Sequence, residues 1–344
     1  MKKLFILSMA LVLCTITAWT QNQVAVLNHE GKINVYYGSG ALSSAVSAAR
    51  KGDVINLSAG TFSGCTINKA VTIRGAGMFA DTETQTGSTN ISSAITLQPG
   101  IHSDTEYHLS FEGINFSTVF TLPGANVYYI NFIKCKVPIT NVNSTSSLYY
   151  LYNCNFYACH VVATSLTTYY HNLARPTFIN CYVQLLPYIP NSTYRNCTIN
   201  WTYTTTSGSS TAWGIPETAD FENCLMLGYY HSFNGTAMNC LYVNKSGSTL
   251  NPFSAQTNET NYTASGYGVF EDFAGDYLWN ANFHLTPANE RKYVGTDGTT
   301  VGMYGGSMPF TMVVANPRIK KCEVAPKTTT EGKLNVNIEV LEGE

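Results

Sequence analysis

A short alternation of apolar and polar positions recurs through the middle of the chain. Its order is a bulky apolar residue, a variable residue, Asn-Cys, a variable residue and a second apolar residue, as in Phe178-Ile179-Asn180-Cys181-Tyr182-Val183. Because side chains alternate across a strand, a straight strand would place Phe178 and Cys181 on opposite faces. A bend at Asn180, a residue type that enters the left-handed region at low cost, turns Phe178, Cys181 and Val183 inward. The phrase therefore predicts strand, bend, strand.

Related phrases recur at an average spacing of 21 residues, with steps of 21, 19, 27, 16, 27 and 16. They begin at Phe111, Phe132, Leu151, Phe178, Tyr194, Phe221 and Ala237. A bent unit repeated at such a period is typical of a solenoid, in which each coil stacks on the last. Over the length of the chain it predicts roughly ten coils.

The bend also assigns outward positions, which form two columns across successive coils. The first column is predicted to contain Glu112, Ile133, Tyr152, Ile179, Arg195, Glu222 and Met238. The second is predicted to contain Asn115, Lys136, Asn155, Tyr182, Thr198, Leu225 and Leu241. Outward leucines at 225 and 241 predict that a loop, the tail or another subunit covers that end.

The start of the chain has a different pattern. Ser39 to Lys51 has one apolar face and is followed by Gly52, which predicts a short helix. Short strands are predicted at 53–57, 65–67 and 71–75, and residues 78–108 are predicted to be a polar excursion.

Two segments carry a family resemblance. ALSSAVSAARKGDVINLSAGTFSGCTINKAVTIRGAG, residues 41–77, resembles the opening of secreted pectin-lyase-like proteins, the right-handed parallel β-helix superfamily. NFHLTPANERKYVGTDGTTVGMYGG, residues 282–306, is similar to the closing segment of secreted bacterial members. The resemblance implies an all-β, right-handed parallel β-helix with an N-terminal capping helix. After it, strand-like runs at 310–314 and 334–341 predict a short β-rich C-terminal tail. It does not imply one function, because the superfamily includes lyases, glycoside hydrolases, adhesins and chain-binding proteins.

The predicted organisation has three parts. Residues 1–20 are predicted to be a bacterial signal peptide, with Lys2-Lys3 before an apolar core. Residues 21–310 are predicted to form the β-helix, and residues 311–344 a β-rich extension. The expected location is therefore extracellular or on the outer cell surface, and no transmembrane segment is predicted. Lipidation at Cys14 is the alternative for the N-terminus.

Charge and cysteine content limit the function classes. Only 12% of residues are charged and the net charge is −2, which gives no electrostatic basis for binding nucleic acid. Cysteines at successive inward positions predict a column of small buried thiols instead of disulfides. Their spacing lacks the close ligand pairs of zinc sites, so we predict no metal and no cofactor. Ca²⁺ at Asp297 is an alternative, against which a turn-capping aspartate is favoured.

Candidate chemistry is sparse, because no Asp or Glu occurs between Glu112 and Glu217. Polysaccharide-cleaving enzymes need acidic pairs, or acidic Ca²⁺ ligands with a basic residue. The best catalytic candidates are Asp220, Glu222 and Arg195, which the columns place on adjacent coils. The alternative, an exposed ion pair between coils, is favoured.

Tyrosines supply the candidate binding residues. Tyr-Tyr pairs begin at 36, 128, 149, 169 and 229, and Tyr152 and Tyr182 are predicted to face outward. Aromatic rings on a sheet suit stacking on sugars, although tyrosine also simply favours strands. We therefore predict a non-catalytic protein that binds carbohydrate or another surface. The alternatives are a polysaccharide lyase or glycoside hydrolase, and an adhesive or structural protein without a ligand site.

Overall fold

The computed structural model describes residues 23–81, 84, 86–98, 101, 107–118, 120–122, 124–138, 143–144, 150–162, 173–184, 189, 191–200, 219–228, 235–244, 252–253, 260–273, 280–314, 316–324 and 328–342. The predicted signal peptide, with Cys14, lies outside these residues. Helices among them are α1 (Ala41–Ala48), α2 (Pro287–Lys292) and a 3₁₀ turn (Tyr267–Val269). In this part of the chain no helix is both long and apolar enough to cross a membrane.

The rest of the regular structure is β. In chain order the strands are β1 (Val24–His29), β2 (Lys32–Tyr37), β3 (Val54–Leu57), β4 (Gly60–Phe62), β5 (Thr66–Ile67), β6 (Thr72–Arg74), β7 (Thr89–Ile91), β8 (Ile95–Leu97), β9 (Ser110–Glu112), β10 (Asn115–Phe116), β11 (Phe120–Leu122), β12 (Val127–Tyr128), β13 (Asn131–Ile133), β14 (Lys136–Pro138), β15 (Asn143–Ser144), β16 (Leu151–Tyr152), β17 (Asn155–Tyr157), β18 (His160–Val162), β19 (Leu173–Ala174), β20 (Thr177–Ile179), β21 (Tyr182–Gln184), β22 (Thr193–Arg195), β23 (Thr198–Asn200), β24 (Asp220–Glu222), β25 (Leu225–Leu227), β26 (Thr236–Met238), β27 (Leu241–Asn244), β28 (Tyr262–Ser265), β29 (Arg318–Val324) and β30 (Val336–Leu341).

The strands of residues 24–265 form four sheets, in which spatial neighbours follow one another along the chain. Sheet A has the order β2-β1-β3-β6-β9-β13-β17-β20-β22-β24-β26, and sheet B has the order β28-β27-β25-β23-β21-β18-β14-β10-β7-β4. Sheet C has the order β15-β11-β8-β5, and sheet D has the order β12-β16-β19. From β3 onward the pairs are parallel, whereas β1 is antiparallel to both β2 and β3. The chain returns repeatedly from sheet A to sheet B, and each return adds a parallel strand, which is consistent with a parallel solenoid.

The inward side chains form ladders across the coils. Phe156 stacks on Phe178 at 4.7 Å between ring centroids, and Tyr194 stacks at 4.7 Å on both Phe178 and Phe221. A second column contains the free, fully buried thiols of Cys135, Cys159, Cys181, Cys197, Cys224 and Cys240. Burial raises the pKa of the Cys135 thiol to about 12. The prediction of a column of small buried thiols is confirmed.

Left-handed bends separate sheet A from sheet B, as the phrase predicts. The φ angles are 52° at Asn180, 47° at Asn196, 56° at Asn223 and 50° at Asn239. In the coil that contains Phe111, the bend is at Gly113, with a φ of 64°. A Cβ atom at this position would lie 2.7 Å from Val314 Cγ1. Glycine is therefore required there by backbone conformation and by space.

One phrase was assigned to the wrong corner. Phe156, and not Leu151, pairs with Phe132 and Phe178 in sheet A, and the bend of that coil is Ala158, with φ 48°. The first outward column therefore contains Tyr157 where Tyr152 was predicted, and the second contains His160 where Asn155 was predicted. The Asn-Cys phrase at 153–154 forms the bend between sheet D and sheet A instead.

The beginning of the fold follows the sequence pattern closely. Helix α1 buries Ala41, Leu42, Ala45 and Val46 against the same core as Ile55 and Leu57.

The prediction for residues 78–108 was wrong in part, because β7 and β8 lie there and continue sheets B and C. Each of these strands has only three residues, two of them buried, and runs this short are hard to recognise as strands in a sequence.

A second apolar cluster covers the outer face of sheet B at its C-terminal end. Leu225, Leu241 and Val243 lie buried against residues that follow the last coil, including Phe283, Leu285, Tyr293, Val301 and Met303. The prediction that the outward leucines are covered is confirmed. The cover comes from the same chain.

Residues 293–318, here called the return segment, run back along the row of bends toward the start of the fold. Asn239 Nδ2 donates to the Val294 carbonyl at 3.0 Å, and Asn223 Nδ2 donates to Thr296 Oγ1 at 3.2 Å. Asn180 Nδ2 donates to the carbonyls of Met303 and Gly305, at 3.0 and 2.6 Å.

The contacts continue to the first coils. Lys134 Nζ donates to the Val313 carbonyl, and Asn316 Nδ2 donates to the Gly75 carbonyl at 2.8 Å. The return segment thus crosses the bends of most coils.

The tail prediction is confirmed at 334–341, where β30 lies, and is wrong at 310–314, which form no strand. The first strand of the antiparallel hairpin β29–β30 begins at Arg318, whose Nη1 lies 2.6 Å from Asp81 Oδ2. Residues 310–314 are inside the return segment, where the Val313 carbonyl accepts a hydrogen bond from Lys134 and Val314 is buried beside Gly113.

Candidate functional site

The predicted catalytic candidates lie on neighbouring strands of sheet A. Arg195 on β22 pairs in register with Glu222 on β24, as the column predicts. Arg195 Nε lies 3.3 Å from Glu222 Oε2, and 57% of the arginine side chain is exposed against 29% of the glutamate side chain. Asp220 precedes Glu222 by two residues and is exposed on the same face.

Each carboxylate also accepts a hydrogen bond from a threonine. Thr296 Oγ1 of the return segment donates to Glu222 Oε1 at 2.6 Å, and Thr236 Oγ1 on β26 donates to Asp220 Oδ1. Glu222 is thus held by an adjacent coil and by the return segment. The geometry is that of a cross-strand ion pair with a capping hydroxyl, and an exposed pair of this kind contributes less than about 1 kcal/mol to stability.

Tyr182 is not available for binding. It points outward from β21, as the phase predicts, but it is fully buried because Phe283 stacks over it at 5.5 Å. Asn200 Nδ2 donates to its hydroxyl at 3.0 Å, and burial raises the pKa of Tyr182 to about 12. The prediction that this ring is free to stack on a sugar was wrong, since residues after the last coil cover it.

Tyr152 lies in a different place from the one predicted. It belongs to β16 of sheet D, where it pairs with Tyr128 of the previous coil and Ala174 of the next. The Tyr128 and Tyr152 rings stack at 5.1 Å between centroids, inclined by 16°. Tyr150 lies 5.7 Å from Tyr152, and Tyr129 lies 6.0 Å from Tyr128.

These four residues, Tyr128, Tyr129, Tyr150 and Tyr152, are here called the tyrosine cluster. All four rings are partly exposed, and Tyr129 is the most accessible, at 47%. Tyr129 has a left-handed φ of 59° and lies 5.7 Å from the His108 ring. The bend between sheets D and A therefore projects an aromatic ring outward from the coil.

Asn126 gives the tyrosine cluster a polar border. Its Oδ1 accepts a hydrogen bond from the Tyr150 backbone amide at 2.8 Å, and its Nδ2 lies 3.4 Å from the Tyr128 hydroxyl. Aromatic rings flanked by amides and hydroxyls can bind ligands that have both CH faces and hydroxyl groups.

The tyrosine cluster was only partly visible in the sequence. The Tyr-Tyr pairs beginning at 128 and 149 gave the signal, but the coil alignment placed Tyr152 beside Ile133 and Ile179. The pairs beginning at 169 and 229, with Tyr149, lie outside the described residues. Tyr36 is partly buried against the core at the other end of sheet A.

Asp297 caps a turn through its side chain. Its Oδ1 accepts hydrogen bonds from the backbone amide and hydroxyl of Thr299, at 2.9 and 2.8 Å, as the turn-capping prediction requires. Burial alone would raise the Asp297 pKa, but the hydrogen bonds from Thr299 and Asn196 outweigh it and lower the pKa. Across the described ranges no group of three or more His, Cys, Asp or Glu side chains is arranged to hold a metal ion.

Comparisons with known proteins add no identification: no protein-family model, curated protein or solved structure matches the chain. The tyrosine cluster and the Arg195–Glu222 pair are therefore assessed from their geometry alone.

Proposed function

We propose that the protein is a non-catalytic bacterial protein, secreted or held at the cell surface, that binds carbohydrate through the tyrosine cluster. The observation that supports this most directly is the stack of Tyr128 on Tyr152, with the exposed ring of Tyr129 beside it. Sugar rings bind aromatic faces through their CH groups, and nearby amides and hydroxyls bind their hydroxyls.

We further propose that the coils form a right-handed parallel β-helix of the pectin-lyase-like type. The repeated return from sheet A to sheet B supports this proposal, as does the packing of α1 on the first strands. Parallel crossover connections are right-handed in nearly all proteins. Export is supported by the basic residues and apolar core of residues 1–20.

The location of the tyrosine cluster is consistent with binding an extended chain. Sheet D places Tyr128 and Tyr152 on successive coils, with ring centroids 5.1 Å apart, and Ala174 follows on the next coil. A polysaccharide lying along the solenoid axis could contact both rings and Tyr129 at once. Each contact contributes little, and the total affinity comes from their number.

Binding can be tested by titrating the mature chain with a panel of neutral and acidic polysaccharides in a calorimeter. We expect at least one to bind, and Tyr152→Ala and Tyr129→Ala to weaken that binding at least ten-fold. Tyr157→Ala is the matched control, because Tyr157 is a partly exposed tyrosine of sheet A and belongs neither to sheet D nor to the tyrosine cluster. Binding that survives both tyrosine-cluster variants would overturn the proposed site, and no binding to any polymer would favour a purely adhesive or structural role.

The alternative is a polysaccharide lyase or glycoside hydrolase that uses Asp220, Glu222 and Arg195. The register of Arg195 with Glu222 is the observation in its favour. The same incubations would be assayed for unsaturated or reducing ends. Cleavage lost in both Asp220→Ala and Glu222→Ala would establish this alternative, whereas cleavage retained in both would exclude the site.

A further inference from the structure

The C-terminal hairpin β29–β30 has one apolar face that no other described part of the chain covers. Cys322 and Ile338 lie opposite each other in the ladder, as do Ile319 and Val340, so these four side chains share a face. All four are exposed, Ile338 to 54%. A two-stranded hairpin is marginally stable alone in water and needs packing on an apolar face.

The opposite face of the hairpin is polar and its charges are paired. Lys320 Nζ lies 2.7 Å from Glu339 Oε1, and Lys321 Nζ lies 2.8 Å from Glu323 Oε1. Each basic side chain of the hairpin in the described residues lies within 4 Å of a carboxylate: Arg318 of Asp81, Lys320 of Glu339, Lys321 of Glu323 and Lys333 of Glu331. The hairpin therefore has one charged side, whose described charges are paired, and one apolar side.

A second exposed apolar strip lies at the N-terminal end of sheet A. In the β1–β2 ladder, Val24 pairs with Tyr37 and Val26 with Val35, so their side chains share the outer face. Tyr37 is 71% exposed, and Ile33 and Val35 are also exposed. Because β2 is the edge strand of sheet A, no strand of the described chain pairs with its outer edge.

The two strips border one recess. A cavity of about 540 Å³ is lined by Val24 and Val26 from β1 and by Ile319 and Cys322 from β29. The return segment brings the hairpin to this position, where Asn316 and Arg318 fix it by their contacts with Gly75 and Asp81. We call the hairpin face, the recess and the β1–β2 strip together the terminal apolar surface.

We propose that the terminal apolar surface is a dimer interface, and that its occupant is the same surface of a second copy. Three observations favour a second copy. The surface has both a protruding apolar hairpin and an adjoining apolar recess, so two copies related by a twofold axis can each fill the recess of the other.

The second observation is charge. Because its described charges are paired, the hairpin neither repels its own copy nor forms a patch that would select a charged partner. The third is area: the exposed apolar side chains of the two strips offer several hundred square ångströms, on the order of the 800 Å² that each partner of a standard interface buries. Burial in a dimer would also supply the packing that the hairpin lacks.

The test is sedimentation equilibrium of the mature chain, from Gln21 to the C-terminus, over a hundred-fold range of concentration. We expect a monomer–dimer equilibrium. Ile338→Lys on the hairpin face and Val35→Lys on the β1–β2 strip should each raise the dissociation constant at least ten-fold. Asn337→Lys, which adds the same charge to the polar face of β30, should leave it unchanged.

Alkylation of Cys322 gives an independent readout, because Cys322 is exposed whereas Cys135 and the thiols stacked with it are buried. We expect its rate of modification under native conditions to fall as the protein concentration rises, and to lose that dependence in Val35→Lys. A chain that is monomeric throughout the range overturns the proposal. So does a dimer that persists in both lysine variants while circular dichroism shows them folded.

Discussion

The asparagines at the bends have two roles, and only one was predictable. Asn180, Asn196, Asn223 and Asn239 take the left-handed conformation that the corner requires. Their side chains also donate hydrogen bonds to the return segment. A glycine at these positions could adopt the left-handed conformation but could not donate a side-chain hydrogen bond to the return segment. The preference for Asn over Gly at these four corners follows from the hydrogen bonds.

Substitutions at Asn180 separate the two roles. Asn180 is fully buried, and its amide donates to two carbonyls of the return segment, so Asn180→Gly keeps the backbone conformation and leaves both acceptors unpaired. We expect a loss of about 1–3 kcal/mol in the free energy of unfolding. Asn180→Ala should lose about 1 kcal/mol more, because alanine is strained at positive φ. Urea denaturation measures both.

Asn153 supplies the control for these variants. It has a φ of 51°, at the bend between sheets D and A, and its side chain has no hydrogen bond among those found in the described residues. Asn153→Gly should change stability by less than about 1 kcal/mol. If the glycine variants at 153 and 180 cost the same, the hydrogen bonds to the return segment contribute nothing measurable.

His160 gives the protein a pH dependence. It lies in the outward column of sheet B, stacked edge-on against Tyr182 at 5.4 Å and near Phe79 and Lys136. Burial, with a smaller contribution from Lys136, lowers the His160 pKa to about 4, although a hydrogen bond with Gln184 opposes the shift. Between pH 4 and 6.5 the unfolded chain therefore binds a proton that the folded chain does not.

Acid therefore destabilises the folded chain. The stabilisation from neutral His160 amounts to about 3 kcal/mol, is complete above about pH 6.5 and is lost as the pH falls toward 4. We expect the unfolding free energy to fall between pH 7 and pH 4.5, and His160→Gln to reduce that slope. Denaturant titrations of both proteins across this range measure it, and equal slopes would show that other groups are responsible.

At the scale of elements, the phrase was sufficient to place most corners but not all. The coil of Phe156 uses Ala158 at its bend, and alanine has no local preference for positive φ, so nothing in its sequence marks the corner. The Asn-Cys pair five residues earlier matched the phrase and lies at a different corner. The pattern of buried residues is the same at the bends of Asn153 and Ala158, and only the strand pairing between coils shows which bend joins which sheets.

The cover on sheet B is an element whose removal should have a local effect. Phe283 packs on Tyr182 and lies 5.1 Å from Phe273, within the second apolar cluster. Phe283→Ala should cost about 3–5 kcal/mol, because it leaves a cavity over a buried face. Hydrogen exchange should increase in β21, β25 and β27, and remain unchanged in β9 and β13. Phe283→Leu should restore most of the protection.

At the scale of the molecule, the sequence pattern predicted the stacked core and could not predict what covers it. Inward residues repeat with each coil and therefore leave a period that a single sequence displays. The return segment contacts the bends through groups that differ from coil to coil, which are backbone carbonyls at Asn180 and Asn239 and the side chains of Asp297 and Thr296 at Asn196 and Asn223, and so leaves no repeating pattern. The same limit applies to the candidate sites: Tyr182 had the correct phase and is buried by Phe283, which is about 100 residues later.

Two truncations test how the return segment contributes to the whole fold. A chain that ends at Pro317 lacks the hairpin but keeps every contact between the return segment and the bends, so its free energy of unfolding should change by less than about 1 kcal/mol. A chain that ends at Asn282 lacks the return segment and the cover on sheet B. It should expose Leu225, Leu241 and the amides of Asn180, Asn196 and Asn223, and unfold several kcal/mol more easily.

Binding of a fluorescent apolar dye gives the matching readout, because it reports exposed apolar surface. The chain ending at Asn282 should bind more dye than the full-length protein, and the chain ending at Pro317 should bind less, since it lacks the exposed face of the hairpin. Equal stability of the two truncated chains would show that the coils fold independently of the return segment, with their inward ladders alone determining the stability of the solenoid.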